Sequence, residues 1–136
     1  MTALNVLHVE DDFADALLVQ NTVFESGDYD IGFEVVRDLR EARRKLKNKM
    51  YDLILLDLRL PDSINPDDTL TTMQALCPVT PIVVLSGSVR VDSGTVPEGI
   101  NRLDKNEYLC GRAADGGKPL AQVLRLSASS DDYEAI

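Results

Sequence analysis

Glu10, Asp11, Asp57, Ser86 and Lys105 each stand at or just past the end of a short apolar run. Glu10 and Asp11 follow Val6 to Val9, Asp57 follows Leu53 to Leu56, Ser86 follows Ile82 to Leu85, and Lys105 comes just after a weaker run, Ile100 to Leu103. Apolar runs this short suit strands that are covered on both faces, as in a parallel sheet. In an open sheet of that kind the residues after the strands meet at the carboxyl edge, where ligands bind. Three carboxylates, a hydroxyl and an ammonium would then share one crevice. Crowded carboxylates raise one another's pKa unless a cation neutralises them. Mg²⁺ suits the role, because it takes oxygen ligands and keeps waters free for a phosphate. Lys105 and Ser86 would supply a charge and a donor to phosphoryl oxygens. Asp57, on a central strand, is the best placed nucleophile for in-line attack on phosphorus.

The elements that must position these residues can be read from the intervening segments. A fifth apolar run, Ile31 to Val36, half alternates, and helical patterns lie between the runs. Ala14, Leu17, Leu18 and Phe24 mark the expected buried face of a helix from Phe13 to Ser26, which Gly27 ends. Asp38 followed by Glu41 has the form of a capping box. It opens a helix that buries Leu39, Ala42 and Leu46 beneath a basic outer face. Leu70, Met73 and Cys77 define a third helix that Pro78 stops. Gly87 to Gly99 is rich in turn formers and β-branched residues, so a short helix or a loop is expected there. A last helix is expected from Pro119 to Leu126. Strands alternating with helices predict an α/β fold with a doubly wound parallel sheet.

The chain of 136 residues fits one domain, placed at residues 1–126, with an acidic and disordered tail at 127–136. A net charge of −9 argues against a direct nucleic-acid or anionic-membrane partner, both of which reward clustered positive charge. Cys77 and Cys110 are far apart and read as free thiols in a reducing compartment. The N-terminus has no positive n-region or cleavage motif, and no apolar run is long enough to span a membrane. The expected location is the cytoplasm. His8, inside the first strand, and Tyr51 and Tyr108 read as packing residues.

Val-Glu-Asp-Asp at residues 9–12, Asp-Leu-Ile-Leu-Leu-Asp-Leu-Arg-Leu-Pro-Asp at 52–62 and Pro-Ile-Val-Val-Leu-Ser-Gly at 81–87 resemble the receiver family of two-component response regulators. The resemblance runs from about residue 4 to residue 126. It implies a five-stranded sheet in the flavodoxin-like order 2-1-3-4-5, and it implies Asp57 as phosphoacceptor. Asp11 would be a direct Mg²⁺ ligand, Glu10 a ligand acting through water, and the Arg59 carbonyl a further ligand. Ser86 matches the switch hydroxyl, Gly87 the small residue beside it, and Lys105 the family lysine. A histidine kinase or histidine phosphotransfer protein would be the donor, and an unknown protein the downstream partner. Such a chain is a switch rather than an enzyme, with only self-phosphorylation and autodephosphorylation of its own.

Two other readings use the same fold. A Mg²⁺-dependent phosphatase with an aspartate nucleophile would place a second acid at position 59, where this chain has Arg59. A binding module without phosphorylation would lack an acid or the lysine, and none is missing. The chain departs from the family in having Asn106 after Lys105, where proline is frequent. It also has Arg102 where the family's switch aromatic lies. Burying a guanidinium without a partner is costly. Phosphorylation is therefore expected to reorganise Gly87 to Gly99 while Arg102 stays at the surface.

Overall fold

The computed structural model describes residues 3–27, 30–58, 60–62, 66–86, 100–105, 108 and 119–134. Five parallel strands form one sheet: β1 (Leu4–Val9), β2 (Ile31–Val36), β3 (Leu53–Leu56), β4 (Ile82–Ser86) and β5 (Asn101–Asp104). Their order is β2-β1-β3-β4-β5, the expected flavodoxin-like order, which puts β3 at the centre. Four helices are described: α1 (Phe13–Glu25), α2 (Leu39–Asn48), α3 (Pro66–Leu76) and α4 (Leu120–Glu134). Gly87 to Gly99, Asn106 and Cys110 lie outside the described residues, so the expected short helix or loop between β4 and β5 does too.

The sheet is covered on both faces, which explains its apolar runs. Leu53 and Leu55 turn to the side of α1 and α4, where they pack with Val6, Val19, Val23, Val83, Leu120 and Leu124. Ile54 and Leu56 turn to the other side and meet Leu7, Val9, Ala42, Leu70, Met73 and Val84. Alternation along β3 thus leaves none of its positions polar, because both of its faces are buried.

The helix starts follow from side-chain caps. Asp12 caps α1, accepting from the Ala14 and Asp15 amides at 2.9 and 3.4 Å. Asp38 caps α2, accepting from Glu41 N at 2.8 Å, and Glu41 Oε1 accepts from Arg37 N at 2.7 Å. Each satisfies amides that a helix start leaves without partners. Gly27, at φ +86°, takes the left-handed conformation that ends α1 without a Cβ penalty.

Two expectations are corrected. The buried face of α1 carries Ala16, Val19 and Val23, not Leu17, Leu18 and Phe24. Leu17 is 58 % exposed and Phe24 60 %, and Ala14 is exposed as well. The inner face holds small and β-branched residues that pack on the sheet, while the larger residues point away. Hydrophobicity alone could not choose between two apolar stripes on one helix. The second correction concerns the last helix, expected to end at Leu126: α4 continues to Glu134. Ser127 is buried and accepts a hydrogen bond from Asn101 Nδ2 at 2.9 Å, which ties the extension to β5.

Candidate functional site

The strand ends assemble the predicted crevice. The Asp57 amide donates to Val9 O at 3.0 Å, so the register of β1 and β3 sets Asp57 beside Glu10. The Glu10 amide donates to Val36 O at 2.8 Å, which fixes the first carboxylate in turn. Lys105 follows β5 directly and reaches across the sheet edge to Asp57. Glu10, Asp57 and Lys105 are all buried, whereas Asp11 is exposed. One carboxylate oxygen from each of Glu10, Asp11 and Asp57 lies within 4.8 Å of the others, close enough to share a cation.

The ammonium of Lys105 touches three carboxylates. Its Nζ lies 2.6 Å from Glu10 Oε1, 2.8 Å from Asp15 Oδ2 and 3.0 Å from Asp57 Oδ2. It donates hydrogen bonds to Asp15 and Asp57, and the Glu10 contact is an ion pair without hydrogen-bond geometry. Burial works against a charged lysine, but Asp15, Glu10 and Asp57 outweigh it and raise the Lys105 pKa. Lys105 is therefore a fixed cation at any physiological pH.

Glu10 shows the opposite balance. Burial, and then the neighbouring Asp57, push its carboxyl up to about 8 despite the pull of Lys105. Its Oε1 is buried with no hydrogen bond, and its Oε2 accepts from the Asp12 amide at 3.3 Å. Three carboxylates that each bring an oxygen within 4.8 Å of the others, two of them buried, are the donor set a hard divalent cation fits. The residues present thus suit Mg²⁺.

The other predicted residues divide. Ser86 is the last residue of β4 and pairs with Asp104 in the register, on the strand between Asp57 and Lys105. Arg59 and Gly87 lie outside the described residues. His8 is buried in β1 on the α1 side, and burial followed by Lys105 lowers its pKa to about 4. Its ring meets that of Phe33 at a tilt of 59°, with centroids 6.3 Å apart, as a packing residue does. Asp15 also reaches Lys105, at 2.8 Å. In the sequence it belongs to an acidic stretch with Glu10, Asp11 and Asp12 that suits a solvated face as well as a cation site, and its contact with Lys105 depends on which way α1 turns.

Residues 6–109 match the response regulator receiver domain family. Among curated proteins, the chain is 40 % identical over 94 residues to the cell cycle transcriptional regulator CtrA of Caulobacter vibrioides. That match covers 66 % of this chain and 37 % of CtrA, so the chain spans little more than a third of that relative. Among solved structures, it resembles the signal receiver domain of a putative LuxO repressor protein from Vibrio parahaemolyticus. That likeness has a TM-score of 0.72 at 24 % identity, over 98 % of this chain and 95 % of the other. It also resembles the receiver domain of the sensor histidine kinase PA1611 from Pseudomonas aeruginosa PAO1, with a TM-score of 0.68 at 21 % identity. The match covers 95 % of this chain and 100 % of that one, whose active site cleft holds a magnesium ion.

Proposed function

We propose that this chain, which belongs to the response regulator receiver domain family, is a Mg²⁺-dependent switch that takes a phosphoryl group onto Asp57 from a phosphohistidine. Receiver domains of two-component systems accept a phosphoryl group on aspartate and act as signalling switches rather than as classical enzymes. The observation that carries the assignment to Asp57 is its buried carboxylate, 3.0 Å from Lys105 Nζ and within a shared 4.8 Å cluster with Glu10 and Asp11.

Asp57 would attack phosphorus through a carboxylate oxygen. The new O–P bond forms as the N–P bond to the donor imidazole breaks, and the departing ring nitrogen takes up a proton. The donor is a histidine kinase or a histidine phosphotransfer protein. Lys105 would stabilise the charge that gathers on the phosphoryl oxygens, because its ammonium is already aimed at Asp57. Ser86, closing the neighbouring strand, would offer its hydroxyl to the same oxygens. Glu10, Asp11, Asp57 and the Arg59 carbonyl would hold Mg²⁺, with Glu10 acting through water. The ion, when bound, neutralises charge between the nucleophile and the incoming phosphoryl group. That PA1611 carries magnesium in its cleft supports this choice.

The proposed setting is the cytoplasm, and no helix among the described residues is long and apolar enough to cross a membrane. A protein partner downstream fits a net charge of −9 better than direct contact with nucleic acid or an anionic membrane. The domain would run from residue 1 to residue 126. Incubation with acetyl phosphate and Mg²⁺ tests the central claim. An acid-stable, base-labile phosphoprotein should form, with the label on Asp57. Wild-type labelling of Asp57→Asn, or full labelling in chelator, would overturn it.

A further inference from the structure

Lys105 must do two things at once: stay in the site when a cation arrives, and present an N–H to a phosphoryl oxygen. Its present partners do not suffice for both. Glu10 and Asp57 belong to the carboxylate group that can share a cation, while Asp15 lies outside that group. A dication among Glu10, Asp11 and Asp57 would neutralise two of the three carboxylates that hold the ammonium, and would repel it as well. A lysine head on a flexible four-carbon stem then has little reason to stay. Asp15 remains. Its Oδ2 accepts from Lys105 Nζ at 2.8 Å, and its side chain keeps only 30 % of its exposure.

The position of Asp15 is set by packing rather than by chance on a mobile surface. It sits in the first turn of α1, where Asp12 caps the helix and accepts from the Asp15 amide. Val19 and Val23 stand at i+4 and i+8 from it, on the face that turns inward onto the sheet. The rotation that buries those valines carries Asp15 to the sheet edge. Helix α1 thus delivers a carboxylate to a lysine that comes from the far end of the sheet.

We propose, building on the phosphoacceptor reading above, that Asp15 is a positioning residue: it anchors the Lys105 ammonium from α1 so that the lysine stays aimed at Asp57 once a cation has claimed Glu10 and Asp57. Asp15 touches neither the phosphoryl group nor the metal and acts only through Lys105. Its effect is therefore on the rate of phosphoryl transfer and not on metal affinity.

The test compares the full chain with Asp15→Asn, Asp15→Glu, Lys105→Ala and the double variant Asp15→Asn/Lys105→Ala. Three quantities are read: the rate of Asp57 labelling by acetyl phosphate at saturating Mg²⁺, the Mg²⁺ affinity by calorimetry, and the melting temperature without metal. Asp15→Asn should label about tenfold more slowly, the cost of one lost charge-assisted contact in the transition state. Its Mg²⁺ affinity should stay within about twofold, a change worth only a few tenths of a kcal/mol. Asp15→Glu, which restores the charge, should recover most of the rate. In the Lys105→Ala background, Asp15→Asn should cause no further loss, as expected when one residue acts through the other. Wild-type labelling by Asp15→Asn would overturn this inference alone, as would an equal loss in the Lys105→Ala background, which would mark a structural role in α1. Absence of labelling on Asp57 in the unmodified protein would overturn the phosphoacceptor reading and this inference with it.

Discussion

Asp62 closes the start of α2: one carboxylate oxygen accepts from Leu39 N and the other from Arg40 N, each at 3.1 Å. Asp38 already takes the Glu41 amide, so two aspartates from separate segments satisfy three amides at one helix start. The contact also tethers the segment after Asp57 to α2. Asp62→Ala should destabilise the fold by about 1 kcal/mol, the usual worth of a lost helix cap. Urea unfolding measures it, and an unchanged midpoint would show that Asp62 bears no share of the α2 start.

Asp11 is the exposed member of the carboxylate trio, and Glu10 and Asp57 are buried. Asp11→Asn should weaken Mg²⁺ binding by about tenfold or more, the scale on which perturbing a metal's ligand surroundings is felt. Removing one of the crowded charges should leave the metal-free protein equally stable or slightly more so. Calorimetric titration and a melt in chelator check both halves. A melting temperature several degrees lower without metal would contradict the repulsion argument.

The two apolar stripes of α1 separate cleanly by mutation. Val19 is fully buried between α1 and the sheet, whereas Leu17 is more than half exposed. Val19→Ala should cost about 2 kcal/mol through lost burial and the cavity left behind. Leu17→Ala, though it removes more carbon, should stay within about 0.5 kcal/mol. Denaturant midpoints for the two variants should therefore rank opposite to side-chain size. The reverse ranking would mean that α1 is turned the other way, and that Asp15 does not face Lys105.

Cys77 packs among Met73, Tyr51 and the sheet, and its Sγ donates to Met73 O at 3.0 Å. Burial pushes its thiol up to about 11. Only the thiolate is nucleophilic, so at pH 8 Cys77 should resist alkylation in the folded protein and react readily in denaturant. Peptide mapping after a short iodoacetamide pulse reads Cys77 by itself. Rapid native modification would show that α3 opens far more often than its packing suggests.

The sequence by itself determined the strands, their parallel arrangement and the polar residues at their ends. Continuous apolar runs such as Leu53 to Leu56 have only one satisfactory environment, a strand buried on both faces, and the residue after such a strand has only one place to go. Asp57 and Glu10 were legible for that reason, Lys105 only from a weaker run with Asn101 and Arg102 inside it, and the Asp38 and Glu41 pair announced α2 through bonds made within a few residues. What depends on contacts distant in the chain was not legible. The α1 stripe of Leu17 and Phe24 is as apolar as the one with Val19 and Val23, and only the sheet surface against which the helix settles selects between them. The same rotation decided that Asp15 meets Lys105, a contact spanning 90 residues of sequence. The helical pattern of the sequence stops at Leu126, yet Ser127 finds Asn101 and the helix continues to Glu134. A local pattern fixes what a segment becomes, because its hydrogen bonds close nearby. Which face it turns inward is settled by partners that the chain brings together only after it has folded.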